Sequence, residues 1–202
     1  MGLKERKERD KEQLRQAILT AAEEMFVKEG FENVSMRKIA RKIEYSPTTI
    51  YLYFKDKEEL FCCLLEEYFA KLKRIMNQNK NLEDDIETSL KKGMVDYIKF
   101  GVENPNYYKL AFLANPNFKA EYYLIEGLIG TEVFLNLKNM VTEAIRRKIF
   151  KDLDVDLVTQ IIWTMNHGIT SLLITNPNFP WVDKEELIQQ TVEATFKGFT
   201  IS

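Results

Sequence analysis

Residues 35 to 60 read Ser35-Met-Arg-Lys-Ile-Ala-Arg-Lys-Ile-Glu-Tyr-Ser-Pro-Thr-Thr-Ile-Tyr-Leu-Tyr-Phe-Lys-Asp-Lys-Glu-Glu-Leu60, and this stretch decides the fold. Ser35 predicts an N-cap, because its hydroxyl accepts from a first-turn N–H that has no helical partner. Ile39, Ala40 and Ile43 then share one side at helical spacing. The pattern breaks at Glu44-Tyr45. Ser46-Pro47 restarts it with a capping hydroxyl and a proline at the first helical position, where a missing N–H costs nothing. Thr49, Ile50 and Phe54 are expected inward from this second helix, and Pro47, Thr48, Tyr51 and Tyr53 outward. Asp56 followed by Glu59 reads as a capping-box start for a third helix.

Two short helices joined by a turn, the second with outward hydrogen-bonding groups, predict a helix-turn-helix. Arg37, Lys38, Arg41, Lys42, Lys55 and Lys57 surround it, cations of the kind that meet phosphates when such a helix enters a major groove. The competing reading is an ordinary helical hairpin with a solvated face. The residues Ala21, Phe26, Gly30, Ile39, Ala40, Ser46, Thr49, Ile50, Tyr51, Tyr53-Phe54, Lys57, Glu58 and Leu60 resemble the DNA-binding domain of the TetR family of transcriptional regulators. The chain departs from the family pattern at the turn, with Glu44 where many members have Gly and Tyr45 where they have a small apolar residue. A positive φ at Glu44 would carry a strain that Gly avoids.

The 202 residues suffice for one or two compact domains, and 45% apolar with 30% charged residues is ordinary for a soluble globular protein. No apolar run reaches the length of a membrane span, and the Lys/Glu/Arg-rich start has no apolar signal region, so the expected location is the cytoplasm. The net charge of −2 divides unevenly, +3 over residues 1–57 and −5 over the rest. A mildly basic first part suits a DNA-binding unit. Cys62 and Cys63 are adjacent and predict no framework disulfide or zinc site. They read as small residues on a helix or, alternatively, as a redox-sensing thiol.

Leu14, Ile18, Ala21, Ala22, Met25 and Phe26 predict an amphipathic helix over 13–29, closed by Gly30 in a left-handed cap with Phe31 folded back on it. Residues 1–12, alternating in charge, are either a frayed extension of that helix or a mobile arm able to reach DNA. A long helix follows from Lys57 to about Asn79, then a polar break at 77–81. Further helices are expected over about 82–102, 106–114, 121–149, 154–175 and 183–198. Asn104-Pro105, Asn115-Pro116 and Asn176-Pro177 act as recurrent turns. No segment alternates long enough for a strand. The expected fold is all-α, about nine helices, with a three-helix DNA-binding domain over 1–58 and a second helical domain over 59–202.

Residues 97–134 are rich in aromatic rings, which either fill a core or line an apolar cavity. The candidate ligand-binding residues are Tyr97, Phe100, Tyr108, Phe112, Tyr123, Trp163 and His167. Trp163 and His167 share a helix face, and Gly168 allows close approach of another helix. A lone histidine here is either a hydrogen-bonded structural residue or a ligand contact. With Asn104-Pro-Asn-Tyr-Tyr108, the Trp163…His167-Gly168 segment resembles the C-terminal ligand-binding and dimerisation domain of one TetR subgroup, marked by Trp and His-Gly. Apolar stripes on the last two helices suit a four-helix interface between two copies, or cover for their own domain.

One histidine, no phosphate-binding glycine loop and no nucleophile elbow argue against an enzyme, and no cofactor or metal is expected. The resemblance implies a homodimeric regulator, most simply a repressor, that binds a near-palindromic double-stranded operator and is released by a small apolar or amphipathic effector. The DNA-binding residues are then Ser35, Arg37, Ser46, Pro47, Thr48, Thr49, Tyr51, Tyr53 and Lys57. Arg37 would read a guanine, Pro47, Thr48 and Tyr51 would meet base edges, and Ser46, Thr49, Tyr53 and Lys57 would hold phosphates. The alternatives are a DNA-binding protein of the same fold without an effector, and a protein-interaction module.

Overall fold

The computed structural model describes residues 2–78, 85–113 and 129–201. Among these residues the chain forms nine α-helices: α1 Leu3–Glu29, α2 Met36–Lys42, α3 Pro47–Tyr51, α4 Lys57–Gln78, α5 Ile86–Glu103, α6 Pro105–Tyr108, α7 Ile129–Arg146, α8 Val155–Thr175 and α9 Lys184–Phe199. The all-α expectation is met. The one extended pairing described is an isolated bridge between Phe150 and Thr200. The chain divides into two compact units, Met1–Tyr68 with Asn106–Lys119, and Phe69–Pro105 with Ala120–Ser202.

In the first unit, Ile18, Leu19, Ala22 and Phe26 of α1 are buried, with Ile39 and Ala40 of α2, Ile50 of α3, and Leu60 and Phe61 of α4. Phe31 folds back on α1 as expected, its ring 5.2 Å from Phe26. Gly30 differs from expectation. Its φ of 81° and ψ of 149° lie outside the left-handed helical region. The reason is local: Gly30 also caps the short 3-10 turn Phe31–Asn33, which redirects the chain into α2. Residues 3–12 belong to α1, so the structure selects the helical extension over the mobile arm.

Each start written in the sequence is present. The Ser35 and Ser46 hydroxyls accept from the N–H groups of Lys38 and Thr49. The Asp56 carboxylate accepts from the N–H of Glu59 at 2.8 Å. The turn between α2 and α3 places Glu44 at φ 62°. An L side chain there costs about 1–2 kcal/mol, while glycine's extra unfolded-state freedom returns about 0.5–1 kcal/mol. Glu44→Gly is therefore expected to stabilise the protein by about 0.5–1 kcal/mol, seen as a higher urea midpoint at unchanged slope.

In the second unit, α5 packs on α7, α8 and α9. Leu90, Met94, Ile98, Val158, Ile162, Leu173, Ile188, Val192 and Phe196 fill its core. Asp85 caps α5, Asp154 caps α8 and Asp183 caps α9. Asn104 ends α5, as the Asn-Pro reading required, and the turn after α6 continues as a π-helical stretch over Lys109–Leu113. The expected beginnings of the helices over 82–102 and 121–149, and the Asn115-Pro116 turn, lie outside the described residues.

Candidate nucleic-acid interface and effector region

The first unit presents α3 with its polar side outward. Pro47, Thr48 and Tyr51 are exposed, Thr49 and Tyr53 are half-buried, and Ile50 and Phe54 anchor the helix from behind. Ser35 and Ser46 are exposed at the starts of α2 and α3. Ser46 Oγ also lies 2.8 Å from Thr49 Oγ1, which fixes both hydroxyls at one end of the helix. Leu52, at the end of α3, is 78% exposed. Sequence reading passed it over, because a leucine between two tyrosines carries no polar signal.

The cations around this surface are not equivalent. Lys38 Nζ lies 2.9 Å from Glu29 and donates to the carbonyl of Asn33 at 2.8 Å. Lys42 pairs with Glu24. These two pairs tie α2 back onto α1. Lys57 donates to the Phe31 carbonyl at 3.2 Å and sits 4.2 Å above the Phe31 ring. Arg37 and Arg41 are exposed and make no ion pair among the described residues. Exposed pairs of this kind contribute at most about 1 kcal/mol each. Their importance here is that they occupy Lys38 and Lys42, while Arg37 stays exposed.

In the second unit, the Tyr97 hydroxyl of α5 lies 2.8 Å from Nε2 of His167 on α8. The Trp163 ring packs edge-on against His167 at 4.7 Å and against Phe134 of α7 at 5.9 Å. Phe100 is buried in the same unit. Tyr108 and Phe112 belong to the first unit, with their rings 5.0 Å apart, and Tyr123 lies outside the described residues. The structure thus joins Tyr97, Trp163 and His167 into one cluster. Tyr108 and Phe112 contact one another within the first unit. A cleft of about 360 Å³ between α4 and α7 is lined by Lys73, Asn77, Glu132, Asn136 and Asn139, among others. Met76, Val133 and Leu135 complete the lining, which holds no aromatic ring of the kind expected for an effector.

Burial lowers the His167 imidazole to about 4, so it is neutral at pH 7. The unfolded chain protonates near its ordinary value of about 6.5, which makes the associated stability complete above pH 6.5 and progressively lost as pH falls towards 4. The full loss is about 3 kcal/mol. Urea titrations from pH 7 to 4 are expected to show this component in the wild type and to lack it in His167→Gln. Burial likewise raises both the Cys62 and Cys63 thiols, so neither is held as a reactive thiolate.

The α8 and α9 stripes separate on inspection. Ile188, Val192, Phe196 and Phe199 of α9 are consumed by their own core, and so are Val158, Ile162, Ile169 and Leu173 of α8. Leu157, Ile161, Met165 and Leu172 face outward from α8 instead. A Cβ on Gly168 would meet nothing within 4 Å among the described residues, so the close approach expected there is not made by any of them.

A short capped helix, buried on one side, with its polar side outward beside an arginine that makes no ion pair among the described residues, has the geometry of the second helix of a helix-turn-helix. Residues 18–62 match the family described as bacterial regulatory proteins, tetR family. An HTH-type transcriptional regulator of Staphylococcus aureus is 32% identical over 93 residues. The match spans 45% of this chain and about half, 49%, of that relative. Among solved structures, a bacterial regulatory protein in the tetR family from Rhodococcus RHA1 shares the fold with a TM-score of 0.77 at 16% identity, over 93% of this chain and 97% of that one. The fatty acid degradation regulator FadR from Bacillus halodurans does so with a TM-score of 0.74 at 21% identity, over 91% and 95% of the two chains.

Proposed function

We propose that the protein is a cytoplasmic, homodimeric repressor that binds a near-palindromic operator and leaves it when a small apolar or amphipathic effector binds. The observation that carries this reading is the capped, outward-facing α3 beside Arg37, which makes no ion pair among the described residues, within the stretch that matches the family. The division of labour is DNA binding by residues 1–58 and effector binding and dimerisation by 59–202. Arg37 reads a guanine. Pro47, Thr48 and Tyr51 meet base edges, and the exposed Leu52 suits a thymine methyl. Ser35, Ser46, Thr49, Tyr53 and Lys57 hold the backbone.

The effector region is the aromatic cluster of Tyr97, Trp163 and His167, within the unit that also buries Phe100. The neutral imidazole and the tyrosine hydroxyl supply hydrogen bonds without a fixed charge, which suits an amphipathic molecule. The likeness in fold to a fatty acid degradation regulator agrees with that chemistry. The Trp163 and His167-Gly168 pattern supports the subgroup marked by those residues. The inventory of the chain supports a regulator without catalytic activity or cofactor.

Arg37→Ala is expected to cost about 1–3 kcal/mol at one operator position and to relax the base preference there. Binding measured against every single-base operator variant checks this. An equal loss on all sequences would make Arg37 a phosphate contact. Titration of operator-bound protein with fatty acids of increasing chain length tests the effector class. Release at micromolar concentration supports it, and no release across the series rules out that class.

A further inference from the structure

Four polar residues are buried among the described residues, all in the second unit: Thr159, Asn166 and Thr170 of α8 and Thr195 of α9. The three threonines are satisfied. Each hydroxyl donates at 2.7 Å to the carbonyl four residues earlier, at Val155, Asn166 and Thr191. Asn166 is different. It is 5% exposed, and its carboxamide makes no hydrogen bond among the described residues. A carboxamide carries an acceptor oxygen and a donor NH₂ group, and burying both without partners is costly. Protein interiors pair such groups, so a partner from outside the chain is called for.

Asn166 stands beside the aromatic cluster of this unit. It precedes His167, and Trp163 and His167 lie about 60° and 100° round α8 from it. Ile162 and Thr170, one turn to either side, are buried, so Asn166 belongs to the inward face of α8. The Tyr97 hydroxyl and His167 Nε2 are matched to each other at 2.8 Å. Charge is kept away from this layer. From Leu157 to Thr175, α8 carries no Asp, Glu, Lys or Arg. On the helices packed against it, Lys99 of α5 is engaged by Glu185 and Lys138 of α7 by Asp156, each at 2.6 Å. A carboxylate brought to Asn166 meets no cation on α8, and desolvating it costs far more than desolvating a neutral amide or hydroxyl. We propose that Asn166 is the specificity-determining anchor of the effector site, and that it pairs with an uncharged carbonyl or hydroxyl head group, as in a long-chain amide or alcohol. This rests on the effector reading above and narrows it: among amphipathic molecules of one chain length, the neutral one is preferred to the carboxylate. A primary amide matches Asn166 best, since each supplies the other with a donor and an acceptor.

The test uses the full-length protein on its selected operator, the variants Asn166→Leu and Asn166→Ala, and decanamide, decanol and decanoate as releasing ligands. In the wild type, decanamide is expected to release the operator at a concentration about tenfold below that of decanoate, the discrimination expected of a neutral hydrogen bond. Decanol should fall between them. In both variants the preference for amide over acid should vanish. Taken as a ratio within each protein, it is independent of any change in operator affinity. Without ligand, Asn166→Leu should raise the urea midpoint, because an apolar side chain of similar size replaces an unmatched amide. Equal release by amide and acid in the wild type, or a preference retained in the variants, overturns the proposal and leaves the effector reading standing. A lowered midpoint in Asn166→Leu shows an amide paired within the fold and overturns it as well. Release by none of the three ligands, with operator binding intact, overturns the effector reading and the proposal with it.

Discussion

Ile161→Glu with Leu172→Glu is expected to yield a folded monomer that binds the operator about 10²–10⁴-fold more weakly. Both residues face outward from α8, at 38% and 52% exposure, on a stripe with Leu157 and Met165. Gly168 lies on the same side with open space around it. A helix that keeps one apolar face for its own core and turns a second one to solvent has a surface suited to a second copy, and a twofold axis makes that contact self-complementary. Two carboxylates per protomer would be buried without partners there, which association cannot offset. Each half-site would then be held singly, and the gain from tethering two recognition helices would disappear. Sedimentation measures the first effect and operator titration the second. A variant that remains a dimer would place the interface elsewhere.

Phe61→Ala is expected to destabilise the first unit by about 3–5 kcal/mol. Phe61 is fully buried, with its ring 5.7 Å from Phe26 and 5.0 Å from Phe31. These three rings join α1, the turn after it and α4. Lys57, one helical turn before Phe61, covers Phe31 from outside. Removing the central ring leaves a cavity where α4 holds the helices that carry α2 and α3. Urea unfolding followed by helical circular dichroism should show the loss, and operator binding should fail at a lower temperature than in the wild type. A loss under about 1 kcal/mol would mean that the cluster is not what holds the unit together, since truncating a buried Phe ordinarily costs several times that.

The fold was legible wherever local chemistry marks a boundary. Ser35, Ser46, Asp56, Asp154 and Asp183 each start a helix in the sequence and cap one in the structure. The family pattern marked Glu44 as a position where a positive φ would be strained, and its φ is 62°. Features that depend on distant partners were hidden. Lys38 and Lys42 look like phosphate contacts until Glu29 and Glu24 are brought beside them. Tyr97 and His167 are 70 residues apart, and no spacing rule joins them. Residues 3–12 lack apolar periodicity; good helix formers extend an existing helix there, at far lower cost than starting one. On α9, the stripe legible in sequence turned out to be internal, because periodicity shows that a face is apolar and not what covers it.

Selection of genomic fragments by the purified protein at about 0.15 M salt tests the central claim most directly, since non-specific phosphate binding is weakened there. The account predicts a recovered near-palindrome whose half-sites lie about one helical turn apart or a multiple of it, bound by the two recognition helices of a dimer. Recovery of fragments with no shared sequence, by protein that remains folded, would contradict it.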